Sequence, residues 1–199
     1  MDTRPHVHEV RCEGCREATP SHDIVSYGSK QGEYRQLCGQ CFNGEVARAG
    51  GLEGFEHPTF RPVGLTDCAG QIHNFFFRIR LLGTGVALDA FELRAGNPAG
   101  YQFQIIGNPE EDVLALFGRL VERIRRALSM KHLVDSELGV QIANQIVRGT
   151  IAWDGANDGR LPLLVIDGQE IAWDEFGRML MSFEGWRFRL NIVDKSEEL

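Results

Sequence analysis

Two Cys-x-x-Cys pairs near the start of the chain constrain its fold more than any other feature. Cys12-Glu13-Gly14-Cys15 is followed, after 22 residues, by Cys38-Gly39-Gln40-Cys41. Two thiolates three positions apart grip one metal ion from a tight turn, and two such turns brought together close a tetrahedral sphere. Gly14 and Gly39 suit these turns because a Cβ would restrict the backbone. Four thiolates leave no open coordination position, so the expected ion is structural rather than Lewis-acidic. The expectation is one zinc per chain, held by Cys12, Cys15, Cys38 and Cys41. The same ligands would suit a rubredoxin-like iron site, and paired cysteines also serve as redox dithiols or disulfides. The spacing favours zinc.

The insert fits a small metal module. Residues 24–27 (Ile-Val-Ser-Tyr) and 34–37 (Tyr-Arg-Gln-Leu) read as two short strands about the turn Gly28-Ser29-Lys30-Gln31-Gly32. Residues 42–49 read as two helical turns, stopped by Gly50-Gly51. Knuckle, hairpin and second knuckle opening a helix resemble, in that order, a treble-clef zinc finger, with a zinc ribbon as the close variant. His6 and His8 lie near Cys12, but four thiolates already satisfy the ion, so both read as solvated side chains.

The 199 residues allow one or two domains, and 43% hydrophobic content is ordinary for a globular chain. The best apolar stretch, residues 161–166, is strand-sized and cannot span a bilayer. The first residues lack the apolar centre of a signal peptide. Four cysteines in metal spacing and one unpaired, Cys68, point to a reducing compartment, so the expected location is cytoplasmic. A net charge of −7 disfavours nucleic-acid binding by the whole surface. The charge is uneven: residues 61–135 carry nine basic and eight acidic side chains, whereas residues 136–199 carry six and eleven.

Residues 51–66, rich in Gly and Pro, read as a linker between a finger (1–50) and a larger α+β domain (67–199) with possible subunits 67–135 and 136–199. That division predicts that the chain from about residue 60 onward folds without the finger. The larger domain opens with a meander. Phe75, Phe77, Ile79 and Leu81 alternate with Phe76, Arg78, Arg80 and Leu82, residues 86–94 return, and Tyr101, Phe103 and Ile105 form a third strand. One face of this sheet is expected to be wet. A helix follows, with Asn108 as N-cap, Pro109 at its first position and Glu111 as the third residue of a capping box. Its apolar stripe is Val113, Phe117, Leu120, Ile124 and Leu128.

Farther on, residues 139–143 and 146–153 read as a hairpin about Asn144-Gln145, with a helix from Ser136 as the alternative. Residues 161–166 form a strand, Asp167-Gly168 a turn, and Phe176, Met179, Leu180 and Phe183 mark a helix closed by Gly185. Trp186, Phe188, Leu190 and Ile192 alternate with Arg187, Arg189 and Asn191 as a final strand. Ile-Ala-Trp-Asp occurs at 151–154 and at 171–174, once in a strand and once at a helix start, and reads as coincidence. The fold class is therefore α+β, a metal module followed by antiparallel sheet units, each packed by a helix.

Several segments together resemble an uncharacterised bacterial family in which a four-cysteine zinc finger is fused to an α+β domain of unknown function. They are Cys38-Gly39-Gln40-Cys41-Phe42-Asn43, His57-Pro58-Thr59-Phe60, Phe117-Gly118-Arg119-Leu120, Ile166-Asp167-Gly168 and Glu175-Phe176-Gly177-Arg178-Met179-Leu180. The resemblance spans nearly the whole chain. It implies zinc and a cytoplasmic setting, and adds no catalytic residue.

The best arrangement for covalent catalysis is Cys68 with His73 and the adjacent Asp67, but a small buried thiol and an edge histidine are the favoured reading. Asp154 to Val165 fails as a calcium loop, because Ala156 and Val165 occupy ligand positions. No phosphate-binding glycine loop or H-E-x-x-H is present. The chain therefore reads as a non-enzymatic protein-interaction or regulatory module whose partner is another protein, with no membrane role. The alternative is nucleic-acid binding through Phe76, Arg78 and Arg80 on one strand, Arg187 and Arg189 on another, and Arg119, Arg123 and Arg126 along the helix. Solvated faces opposite each apolar stripe would carry the same residues.

Overall fold

The computed structural model of the protein describes residues 8–28, 32–52, 54–137 and 139–197. His6 and turn residues 29–31 lie outside them. The chain enters through two hairpins. β1 (Glu9–Arg11) pairs with β2 (Ala18–Pro20), and β3 (Ile24–Tyr27) pairs antiparallel with β4 (Arg35–Cys38), Ile24 opposite Cys38. Helix α1 (Gly39–Gly50) follows without a loop and stops at Gly51, which takes φ 68°. There the amide of Leu52 returns to the Ala47 carbonyl (2.9 Å), and glycine accepts the left-handed turn at no steric cost.

A four-stranded antiparallel sheet forms the centre. Its strands lie in chain order: β5 (Val63–Thr66), β6 (Ile72–Leu82), β7 (Gly85–Arg94) and β8 (Asn97–Gly107). Helix α2 (Val113–Leu128) covers one face. Phe75, Ile79 and Leu81 from β6 and Val86, Leu88 and Ala90 from β7 pack with Leu116, Leu120, Ile124 and Leu128. Each of these side chains larger than alanine contributes roughly 1.5–3 kcal/mol when fully buried. Residues 51–66 do not run free of this core. Leu52, Phe55, Phe60 and Val63 pack against it, and Phe60 stacks on Phe117 with ring centroids 4.4 Å apart.

The expected wet face of the sheet is covered. Asp89, on that face of β7, is 3% exposed, and Phe91 is 2% exposed. His22, in the helical turn after β2, sets its ring edge against Phe76 and Phe91. The N-terminal module thus closes what an isolated meander would leave to solvent.

Helix α2 begins four residues later than the capping-box reading. The Asn108 side chain accepts from the amide of Glu110 (3.0 Å) and closes its own turn, while Asp112 caps the helix through the amide of Leu114 (2.9 Å). The pattern near the C-terminus also differs. β10 (Gly139–Ile142) pairs with β9 (Leu133–Ser136) rather than with residues 146–153. Gly139, the first residue of β10, takes φ 96°, a conformation that favours glycine. β11 (Thr150–Trp153) instead joins β12 (Pro162–Ile166) and β13 (Gln169–Ala172), with α3 (Trp173–Leu180) packed on that sheet. Gly185 closes this helical stretch with φ 83°. Residues 186–192 form no strand, and their apolar side chains point outward.

Candidate metal centre

The β1–β2 turn supplies Cys12 and Cys15, and the β4–α1 junction supplies Cys38 and Cys41. The amide of Cys12 bonds to the Glu17 carbonyl and that of Arg16 to the Cys12 carbonyl, both at 2.9 Å, which curls the first knuckle. The second is a helix start: Cys38 stands at the N-cap of α1, and its sulfur accepts from the amide of Cys41 (3.5 Å). The two knuckles are tied directly, since the amide of Glu13 bonds to the Gln36 carbonyl (2.8 Å) and the amide of Cys38 to Sγ of Cys12 (3.2 Å).

The four sulfurs lie within 4.8 Å of one another. Four thiolates about 2.3 Å from one ion stand about 3.8 Å apart at tetrahedral angles. The Cys15 and Cys38 sulfurs are 3.9 Å apart, close to that separation and far from a bonded pair. A Cβ on Gly14 would stand 2.8 Å from Sγ of Cys41, so the first knuckle needs glycine to let the second approach. Burial raises the Cys12 thiol, but hydrogen bonds from the amides of Cys38, Cys15 and Gly14 outweigh it and bring the pKa to about 6. The Cys41 thiol is pushed up to about 12, first by burial and then by the crowding of Cys38, Cys12 and Cys15. Four thiols this close cannot all ionise without a cation among them. The donor set therefore fits a thiophilic metal ion.

Asn43 locks this module to the central sheet. β5 pairs only with the first part of β6, which leaves the outer edge of β6 open beyond Phe75. Asn43, fully buried on α1, meets that edge: its Oδ1 accepts from the amide of Leu81 (2.8 Å) and its Nδ2 donates to the carbonyl of Ile79 (2.9 Å). The Leu81 amide can only donate, which fixes the orientation of the side-chain amide. The second Nδ2 hydrogen goes to Nδ1 of His57 (2.8 Å), so that ring nitrogen accepts. Burial lowers the His57 pKa against a smaller opposing pull from Asp23. Asn43 and His57 stood in the motif segments, but sequence reading gave them no role. The available signal was a polar side chain between Phe42 and Val46 on an otherwise apolar helix face.

The remaining candidates lie on several elements. Arg78 and Arg80 turn their guanidinium groups to Asp89, at 3.3 and 2.8 Å, and Arg78 also donates to the His22 carbonyl (2.9 Å). Phe76 lies against His22. Arg119 pairs with Glu111 (2.6 Å), and Arg123 donates to the carbonyls of Gln104 (2.9 Å) and Ser196 (2.8 Å). Arg126 lies on the same helix and is exposed, as are Arg187 and Arg189 on the far segment. Arg119, Arg123 and Arg126 line one shallow pocket with Ile105, Glu122 and Ser196, while Arg78 and Arg80 lie together at Asp89.

His73 is not turned to Cys68, whose thiol is exposed. Its Nε2 faces Asp67 (3.2 Å) and its Nδ1 faces Glu92 (2.9 Å). Lys131 reaches Asp67 at 2.7 Å and, with the amides of Gln71 and Ala69 and with His73, holds that carboxyl well below the usual carboxylate range against the opposing effect of burial. Tyr101 borders this cluster. Burial, then the charges of Asp167, Asp67 and Glu92, push its hydroxyl well up. The cluster joins the residue after β5, strands β6 and β7, and Lys131 three residues beyond α2, and among the described residues only the four cysteines form a metal-ligating group.

Three models, each of a domain of unknown function, match successive parts of the chain: DUF7685 over residues 11–53, DUF7686 over 56–129 and DUF7713 over 132–197. No curated protein and no solved structure matches the chain.

Proposed function

We propose that the chain is a zinc protein in which one structural ion, bound by Cys12, Cys15, Cys38 and Cys41, organises a treble-clef-like module. The observation that carries this reading is the convergence of four thiols from two knuckles, each supported by backbone amides, at separations suited to one tetrahedral ion. The ion holds β1–β2 to the start of α1 and so presents Asn43 to β6. It performs no chemistry on a substrate, since all four positions are filled by protein.

In this reading the protein is a non-enzymatic interaction or regulatory module of the cytoplasm. Its support is the apolar surface of the C-terminal unit, where Trp153, Phe188 and Leu190 are each more than two-thirds exposed. No helix among the described residues is long and apolar enough to cross a membrane. Nucleic-acid binding has less support, because Arg78 and Arg80 give their charge to Asp89 and Arg119 to Glu111. Elemental analysis of protein purified under reducing conditions tests the metal. One zinc per chain is expected, falling in Cys12→Ser and Cys41→Ser; protein lacking zinc would refute it. Iron in its place would replace the zinc assignment while keeping the ligands.

A further inference from the structure

Residues 186–192 are built like a strand and have no sheet. Trp186 (63% exposed), Phe188 (91%), Leu190 (73%) and Ile192 (67%) alternate with Arg187, Arg189 and Asn191. That alternation specifies a strand with one apolar face, yet among the described residues no strand pairs with it. The stretch is held at both ends. The amide of Trp186 bonds to the Phe183 carbonyl (2.9 Å), and Arg123 of α2 donates to the carbonyls of Lys195 (3.5 Å) and Ser196 (2.8 Å). It is a strap anchored at each end, with its apolar residues displayed between.

The same unit holds a surface of matching character. β11 is an edge of its three-stranded sheet. Ile151, Leu164 and Ile171 stand opposite one another across the three strands and so share a face. Ile171 is 2% exposed and belongs to the unit's core, with Leu164 packed against it, but Ile151 is 58% exposed and Trp153, two residues along, is 73% exposed. The apolar face of this sheet therefore runs out uncovered at β11, beside an open backbone edge of the kind that recruits another strand.

We propose that residues 186–192 of one copy add to the β11 edge of a second copy, reciprocally, giving a two-fold symmetric dimer. This rests on the interaction reading above and names its partner as the chain itself. Strap and edge each lack what the other supplies: a strand partner and a cover for an exposed apolar face. Reciprocal exchange closes the assembly, because the same pair of surfaces is used twice. Trp153, Trp186 and Phe188, with Ile151, Leu190 and Ile192, would bury on the order of 700 Å² per copy, near the roughly 800 Å² per partner of a standard stable interface.

Sedimentation of the full-length, zinc-loaded protein at about 50 μM tests this. The expected mass is twice 22.3 kDa. Phe188→Glu and Trp153→Glu should each weaken the dimer by about thirtyfold or more, as for loss of a central interface residue. Zinc content and circular dichroism should stay unchanged in both, since these side chains stand in solvent. Mixing the two variants should restore association in part, because each supplies the surface the other has lost and one of the two contacts is then intact. A zinc-loaded monomeric wild type would overturn the self-association while leaving the zinc assignment and the broader interaction reading standing. A dimer that survives Trp153→Glu, or variants that do not complement on mixing, would overturn the strap-to-β11 pairing.

Discussion

The N-terminal module and the central sheet with α2 are each held together, but by different means. In the module the buried hydrophobic cluster is Cys12, Leu37, Cys38 and Phe42, so two of its four members are thiols. In the central unit a continuous apolar core runs from Phe75 through Leu88 to Leu128, with aromatic rings stacked at its margin. A segment of some 40 residues buries too little apolar surface to fold on its own and needs a metal or a disulfide. The contrast shows where each unit is vulnerable: the first to the loss of an ion, the second to the loss of packing. Asn43 couples them.

Metal removal should separate the units most sharply. Structural zinc contributes about 10–16 kcal/mol of binding free energy in small modules, and that energy is also folding energy. A strong chelator, or Cys12→Ser, should therefore abolish amide-exchange protection in β1 to β4 while the β6–β7 ladder stays protected. Equal loss of protection in both would erase the distinction. The converse variant is Leu120→Ala, which empties a fully buried position of α2. It should cost about 2–5 kcal/mol in denaturant unfolding and leave zinc content unchanged.

The joint gives a smaller effect. Asn43→Ala leaves the Ile79 carbonyl and the Leu81 amide without their partner, which costs about 1–3 kcal/mol per buried group left unsatisfied. A fragment beginning near residue 60 would lose the same contacts, together with Ala47 from the core, so it should unfold at lower denaturant than the full chain. An unshifted midpoint in either would mean that α1 merely rests on the sheet.

The smallest expected effect is on acid stability. Asp67 has a pKa depressed in the fold, chiefly by Lys131, so its stabilising contribution is present above the ordinary carboxylate value near 4 and is lost as pH falls below it. Asp67→Asn should flatten the stability profile between about pH 4 and 2 and leave the chelator response of the module unaltered. Unfolding curves measured across that range would show it.

The sequence revealed most where one local feature decides the structure. The cysteine spacing located both knuckles, the alternation in residues 75–82 identified the buried face of β6, and Gly50-Gly51 ended α1 as read. It was ambiguous where two equivalent signals compete. Asn108 and Asp112 are both good caps four residues apart, and only the packing of Leu116 and Leu120 selects the second. The β9–β10 pairing was missed because strand-like stretches lie on both sides of Gly139, and the choice between them is made by β12, more than ten residues away. Residues 186–192 have an unmistakable strand pattern, yet no strand among the described residues pairs with them. The roles of Asn43 and His57 depend on where β5 ends, which no local signal marks.

X-ray absorption at the zinc edge on reduced, full-length protein tests the central claim most directly. The account predicts four sulfur neighbours at about 2.3 Å and no nitrogen or oxygen in the first shell. A shell that includes nitrogen or oxygen, or zinc bound without all four of Cys12, Cys15, Cys38 and Cys41, would contradict it.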